Sequence, residues 1–494
     1  MNFFEYLLDK KIIYLILGFI FSITSIGRFN IPLFIFIWPY CFLVYLHQNE
    51  KKISPLILVS ICLVVSNMIK WIGNNEYYIK YGLLEGLYFS IINIIPYIID
   101  DIIYSKISKW ASVFIFPLLV AFTEYVFEFM PYANHNIFAN ALRNNIHIIQ
   151  ICSLFGCFFL SFIIALFASI VDYSYIVYKK EKKISKLVYS YVLIILLINC
   201  FGSIRLLIPE KEETYTIASA LGAYPPLYLD GKGNNKYSKE LYKEYNDYIQ
   251  KTIIKANSLD AKVILYAEEA FFIEIADRTD IINRTAKLAE KYNIYVVLPL
   301  GVIHDEYYKN EAILISDKGN VLYNYDKKNL IPITESIFLS NNSEYKTFDT
   351  ELGKLGVVIC YDINFPDYLN QLSRLGLDSL LIPSWDWDGI TEFHSTNLRL
   401  RAIENGFNAI KSTVNGITES FDYKGRYLSY YKSNRNEDHF VLSSVYKRGT
   451  KTLYSYIGKF FNYLYLAALI ILVIIGRCSK MSESNNEDKK LKIK

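Results

Sequence analysis

Eight apolar runs constrain this chain more than any other feature: Ile12–Gly27, Ile31–Tyr45, Ile53–Ile72, Leu83–Ile99, Trp110–Phe129, Ile148–Val171, Leu187–Ile204 and Ile457–Gly476. A membrane helix needs ~20 predominantly apolar residues, so aromatic flanks must complete the shorter runs. The overall balance agrees, with 53% hydrophobic and only 20% charged residues in 494. The net charge is +4, and no basic tract resembles a nucleic-acid footprint. The run at Ile12 follows Lys10 and Lys11 as a signal peptide would, but it has no small-residue cleavage site and a second apolar run comes at once. A retained helix is therefore expected.

Lysine placement orients the bundle. With the N-terminus in the cytoplasm, the inner loops hold Lys10 and Lys11, Lys51 and Lys52, Lys106 and Lys109, and the YKKEKKISK loop from Tyr178 to Lys186. The tail adds Arg477, Lys480, Lys489 and Lys490, whereas the outer loops offer little beyond Arg28, Lys70, Lys80 and Arg143. The positive-inside rule then puts both termini in the cytoplasm and the segment Leu206–Tyr456 outside it. The expected divisions are a transmembrane bundle of seven helices at 1–205, an extramembrane α/β domain at 206–456, a last membrane helix at 457–477 and a polar, disordered tail at 478–494.

Within 206–456 short β-type runs (TYTIASAL, AKVILYAE, NIYVVLPLG, NEAILIS, KLGVVICYD, DSLLIPSW) alternate with helical stretches, the pattern of helices covering a sheet. SDKGN and DYKGR read as hairpin turns, so the sheet should be mixed. No glycine-rich phosphate loop or Cys/His metal cluster stands out.

Of seven cysteines only Cys360 lies outside an apolar run or the tail, and it ends a β-branched run that Asp362 follows. A free cysteine often packs as a small hydrophobe, and acids or lysines at strand ends are often solvated. KVILYAEEA nevertheless ends a strand on Glu268 and Glu269, and YDKKNLIP sets Lys327 and Lys328 just past another. Together a carboxylate base, an ammonium and a thiol can carry out acyl transfer without histidine. A cysteine–histidine site using His394, downstream of Cys360, is the remoter option.

The order YAEEA, YDKKNLIPITE, VICYD resembles the carbon–nitrogen hydrolase (nitrilase) superfamily and, more narrowly, its membrane-embedded branch, the apolipoprotein N-acyltransferases. FPLLVAFTEY with Glu124, IIQICSLFGCFFLSF and TLYSYIGKFF resemble that branch's membrane segments, and SWDWDG and RLRAIENG its site-lining segments. The resemblance implies an αββα nitrilase-like sandwich beside about eight transmembrane helices in the cell membrane. It implies Glu268 as general base, Lys327 as oxyanion partner and Cys360 as nucleophile, with Glu335, Tyr361 and Asp362 in support. It implies no metal and no organic cofactor. The partners it implies are a phospholipid acyl donor and a diacylated lipoprotein acceptor; the alternative is a membrane-anchored amidase or acyltransferase acting on another amide, amine or lipid. The chain departs from the pattern at Ala267 (proline in the family), Asn329 (histidine), Asp362 (glutamate) and Leu221–Ala223 (QGN). Strand alternation predicts that the neighbours Glu269 and Lys328 face away from the site. Glu85, Asn93 and Glu124, polar within apolar runs, are functional or structural candidates.

Overall fold

The computed structural model describes residues 11–49, 53–72, 76–133, 136–210, 213–221, 237–340, 343–387, 389–432 and 439–492. It divides into two compact units, Met1–Ile208 with Ile457–Lys494, and Pro209–Tyr456.

Six helical segments of the first unit are long and apolar enough to cross a membrane: Ile53–Trp71, Ile79–Tyr104, Lys109–Phe127, Cys157–Glu181, Lys186–Leu207 and Phe460–Ser482. The first two apolar runs form the shorter helices Lys11–Ile23 and Phe34–His47. The run expected to span from Ile148 to Val171 is instead divided. Short helices at Ile146–Ile149 and Cys152–Phe155 end at Gly156, whose φ of 81° suits glycine, and the long helix starts at Cys157. At the other end the helix Leu453–Lys492 carries the backbone through 478–492, where composition predicts a disordered tail. Extending an established helix costs far less than nucleating one, so a polar stretch can follow an apolar span. Two of the intramembrane polar residues hold structure: Asn93 Oδ1 accepts from Asn67 Nδ2 at 3.1 Å, and Glu124 Oε1 accepts the Phe138 backbone N–H at 2.8 Å.

The second unit contains thirteen strands among its described residues. These are β1 Thr214–Ala220, β2 Ala261–Tyr266, β3 Phe271–Glu274, β4 Tyr295–Ile303, β5 Tyr308–Ile315, β6 Val321–Asp326, β7 Phe348–Thr350, β8 Gly353–Val357, β9 Ser379–Trp385, β10 Asn408–Val414, β11 Ile417–Phe421, β12 Tyr427–Lys432 and β13 Phe440–Tyr446. They form two mixed sheets, ordered β13-β1-β2-β4-β5-β6 (with β3 on β4) and β12-β11-β10-β9-β8-β7. SDKGN joins β5 to β6, and DYKGR joins β11 to β12, as antiparallel hairpins.

The period of two in each strand sorts the core. Ile217, Val263, Leu265, Val297 and Leu314 join a cluster shared with Val357, Leu381 and Ile410 of the second sheet. Their neighbours Ala218, Ile264, Tyr266, Val296 and Ile313 pack instead with the helices Lys239–Ser258 and Ile275–Tyr292. The first sheet is thus buried on both faces, which is why its strands read as continuous apolar runs. The helices Pro366–Arg374 and Thr391–Asn405 belong to the second sheet's side, giving an αββα sandwich.

Candidate active site

Glu268, Lys327 and Cys360 come from the ends of β2, β6 and β8, respectively. The Glu268 backbone N–H donates to Ser384 O, at the end of β9, at 3.3 Å, so strand ends of the two sheets meet here. Glu268, Lys327, Glu335 and Cys360 are all buried.

Lys327 lies between two acids, with Nζ 2.8 Å from Glu268 Oε1 and 2.6 Å from Glu335 Oε1. Burial pulls its ammonium pKa down, but the two carboxylates prevail and hold it well above the ordinary value. For Glu335 burial prevails over Lys327 and raises the carboxyl, whose Oε2 accepts the Ile331 backbone N–H at 2.8 Å. Asn310, on β5, donates Nδ2 to Glu268 Oε1 at 2.8 Å and accepts the Lys327 backbone N–H at 2.8 Å. No motif pointed to Asn310; its place comes from the register that pairs Glu311 with Asp326.

Cys360 opens the 3-10 turn Cys360–Asn364 with a φ of 42°, left-handed backbone that a residue with a Cβ adopts at a cost of ~1–3 kcal/mol. Burial, reinforced by the Glu268 charge, pushes its thiol pKa well up, and Lys327 opposes this. The thiol is therefore protonated at rest and needs a base. Asp362 fastens the turn: Oδ2 accepts from Tyr325 Oη at 2.8 Å and from the Ile359 backbone N–H at 3.1 Å. Its Oδ1 accepts the Asn329 backbone and side-chain N–H groups at 2.9 and 2.8 Å. Burial raises the Asp362 carboxyl against these bonds. Two of the departures from the family pattern, Asn329 and Asp362, thus meet each other. Tyr361 is buried and packs edge-on against Phe365.

The neighbours behave differently from strand alternation alone. Lys328 turns away, with Nζ 4.5 and 4.9 Å from the ring centres of Tyr345 and Tyr368. Glu269 does not face solvent: it is 2% exposed, in a turn after β2, with a φ of 51°. A turn residue has no alternating face, so the period of two does not extend to it. Leu221 is described, but the rest of the Leu221–Ala223 stretch lies outside the described residues.

Near Cys360 lies a second charged cluster, whose Lys411 and Glu419 no motif marked. Asp386 Oδ2 meets Lys411 Nζ at 3.0 Å, and Lys411 reaches Glu419 Oε1 at 3.3 Å. Burial would raise the Asp386 carboxyl, but Lys411 and His394 outweigh it and hold it well below the usual range. Burial raises Glu419 against the pull of Lys411. His394 lies between Asp386 Oδ1, 2.8 Å from Nδ1, and the Cys360 carbonyl, 3.2 Å from Nε2.

Residues 258–456 match the carbon-nitrogen hydrolase family, so the second unit is a carbon–nitrogen hydrolase domain. The chain as a whole is similar to apolipoprotein N-acyltransferase 1 of Treponema denticola, 22% identical over 82% of this chain and 83% of that protein. Over shorter stretches it is similar to "Hydrolase in agr operon" of Staphylococcus aureus, 28% identical across 28% of this chain and 54% of the relative. A solved amidase from Nesterenkonia sp. aligns with 49% of this chain and 94% of its own at 18% identity, with a TM-score of 0.41. The chain spans about half the length of the first curated relatives it matches (54% and 52%).

Proposed function

We propose that this chain is an N-acyltransferase that moves an acyl chain from a phospholipid, through a thioester on Cys360, to the N-terminal amine of a diacylglyceryl-cysteine lipoprotein. The reading rests on one combination: a buried Glu268–Lys327–Cys360 cluster in a chain that also has six membrane-length helices. Glu268 takes the thiol proton and the thiolate attacks the donor ester carbonyl. Lys327 and the Tyr361 backbone N–H hold the tetrahedral oxyanion. Collapse breaks the acyl C–O bond, the proton passes from Glu268 to the leaving lysophospholipid, and the thioester remains. The lipoprotein amine then attacks the thioester, gives its proton to Glu268 and displaces the Cys360 sulfur, to which Glu268 returns that proton. Glu335 holds Lys327 in place, and Asp362 holds the Cys360 turn. No metal or organic cofactor has a part in these steps.

Mass spectrometry of lipoprotein N-termini from cells with and without the protein tests this: an N-linked acyl chain should appear only with it. Unchanged N-termini overturn the reading. A second reading, hydrolysis of another amide or lipid by a membrane-anchored enzyme, is favoured by the similarity of 28% of this chain to a deaminated glutathione amidase from Dictyostelium discoideum at 30% identity. Rapid loss of the Cys360 thioester to water, with no lipoprotein needed, is its signature.

The reading also places the hydrolase domain outside the cytoplasm, with both termini inside. The DYKGR hairpin is unsuited to labelling, because Asp422 and Lys424 are buried, whereas Lys318 of SDKGN is exposed. A Lys318→Cys variant is expected to react with an impermeant maleimide in intact cells and a Lys183→Cys variant only after lysis; the reverse pattern inverts the orientation. Lys328→Met should leave acyl-enzyme formation unchanged and lower stability by about 0.5–1 kcal/mol through its lost ring contacts, read by thermal unfolding.

A further inference from the structure

His394 is fully buried on the helix Thr391–Asn405, with both ring nitrogens engaged. Its Nε2 lies 3.2 Å from the Cys360 carbonyl oxygen, which can only accept, so that nitrogen carries a proton. Its Nδ1 lies 2.8 Å from Asp386 Oδ1, a carboxylate that Lys411 keeps ionised, so with an acceptor at each nitrogen the ring carries both protons, against the pull of burial, which lowers its pKa. Asp386 is itself held by Ser384 Oγ at 3.0 Å and Lys411 Nζ at 3.0 Å. A Cβ on Gly416 would come within 2.6 Å of the Asp386 Cβ, so the β10–β11 turn also confines this acid. The end of β9, just before Asp386, also reaches the thiol, since Cys360 Sγ donates to Trp385 O at 3.5 Å. Ligand-type atoms of Cys360, Asp386 and His394 all lie within 4.8 Å of one another.

The residue so held is the one with a left-handed φ of 42°. That conformation persists only where its surroundings over-determine it. We propose that His394 is a positioning residue: gripped by Asp386, it holds the Cys360 carbonyl through Nε2–H and so keeps the nucleophile's backbone in the left-handed conformation that presents its thiol to Glu268 and Lys327. The inference rests on the reading of Cys360 as nucleophile. It gives His394 no proton to accept, unlike a cysteine–histidine pair.

Two amide variants of the full chain in detergent separate these roles. In His394→Asn the amide stands at the Nδ1 position and cannot reach Cys360; in His394→Gln it stands near Nε2 and can donate to the carbonyl. Acylation by p-nitrophenyl butyrate is followed as the rate constant of the first-turnover burst, since misfolded protein lowers the burst amplitude and not its rate constant. His394→Asn is expected to slow acylation roughly 10- to 100-fold, the size of one lost buried hydrogen bond, with KM little changed. His394→Gln should recover to within about tenfold of the parent. Parent-like acylation in His394→Asn overturns the inference. A His394→Gln variant as slow as His394→Asn also overturns it and assigns His394 proton transfer instead. A full burst in Cys360→Ser sinks the nucleophile reading itself, whereas a silent Cys360→Ser beside normal His394 variants removes only this inference.

Discussion

Cys360→Ser is expected to leave no detectable acyl-enzyme, with no thioester adduct on the intact chain by mass spectrometry after exposure to phospholipid. Glu268→Gln keeps the shape but cannot accept the thiol proton, which burial and the Glu268 charge keep in place at rest. Both formation and discharge of the thioester should then slow by roughly two to four orders of magnitude. Lys327→Met keeps the apolar stem and removes the charge that bridges Glu268 and Glu335, with a rate loss of about two to three orders of magnitude from the oxyanion alone. Single-turnover acylation reads all three. Parent-like rates in Glu268→Gln and Lys327→Met together would remove the site as drawn. Cys478→Ser serves as the control, since that thiol lies in the other unit and is exposed.

The second large effect concerns stability. Lys411→Met is expected to lower the unfolding free energy by about 3–5 kcal/mol, because it removes the one ammonium that two buried acids share, leaving Asp386 to His394 and Ser384 and Glu419 to Ser395. A fall in denaturant midpoint of the detergent-solubilised chain measures it; no change would mean water or another cation serves these acids. Adding Asp386→Asn should recover part of the loss. The sign with pH follows from Asp386, whose carboxyl is held below its ordinary value. Its stabilising contribution is complete above the unfolded aspartate pKa of about 3.9 and is lost as pH falls through the folded value. In Lys411→Met that acid dependence should shrink.

Much of the architecture could be read along the chain because it depends on local pattern. Apolar runs near membrane length and the alternation of strands with helices survive in any tertiary setting, since each reports which solvent its faces meet. SDKGN and DYKGR turn where their glycines, Gly319 and Gly425, take φ of 73°. Local reading stopped where cooperativity took over: no composition rule shows that Gly156 divides an apolar run or that a polar tail prolongs a helix.

The candidate site divides in the same way. Strand ends and motif order marked Glu268, Lys327, Glu335, Cys360 and Asp362, because a reactive group must sit where a buried sheet opens. The tertiary structure alone decided which groups meet them. Asn310 reaches Glu268 through strand register, Asn329 meets Asp362 across 33 residues, and Lys411 joins Asp386 and Glu419 from separate strands and a loop. Such contacts cannot be read from sequence, because a buried charge takes its partner from whichever element packs against it. The left-handed turn at Cys360, and the histidine that grips it, belong to that tertiary part: a strained backbone exists only where the surrounding fold holds it.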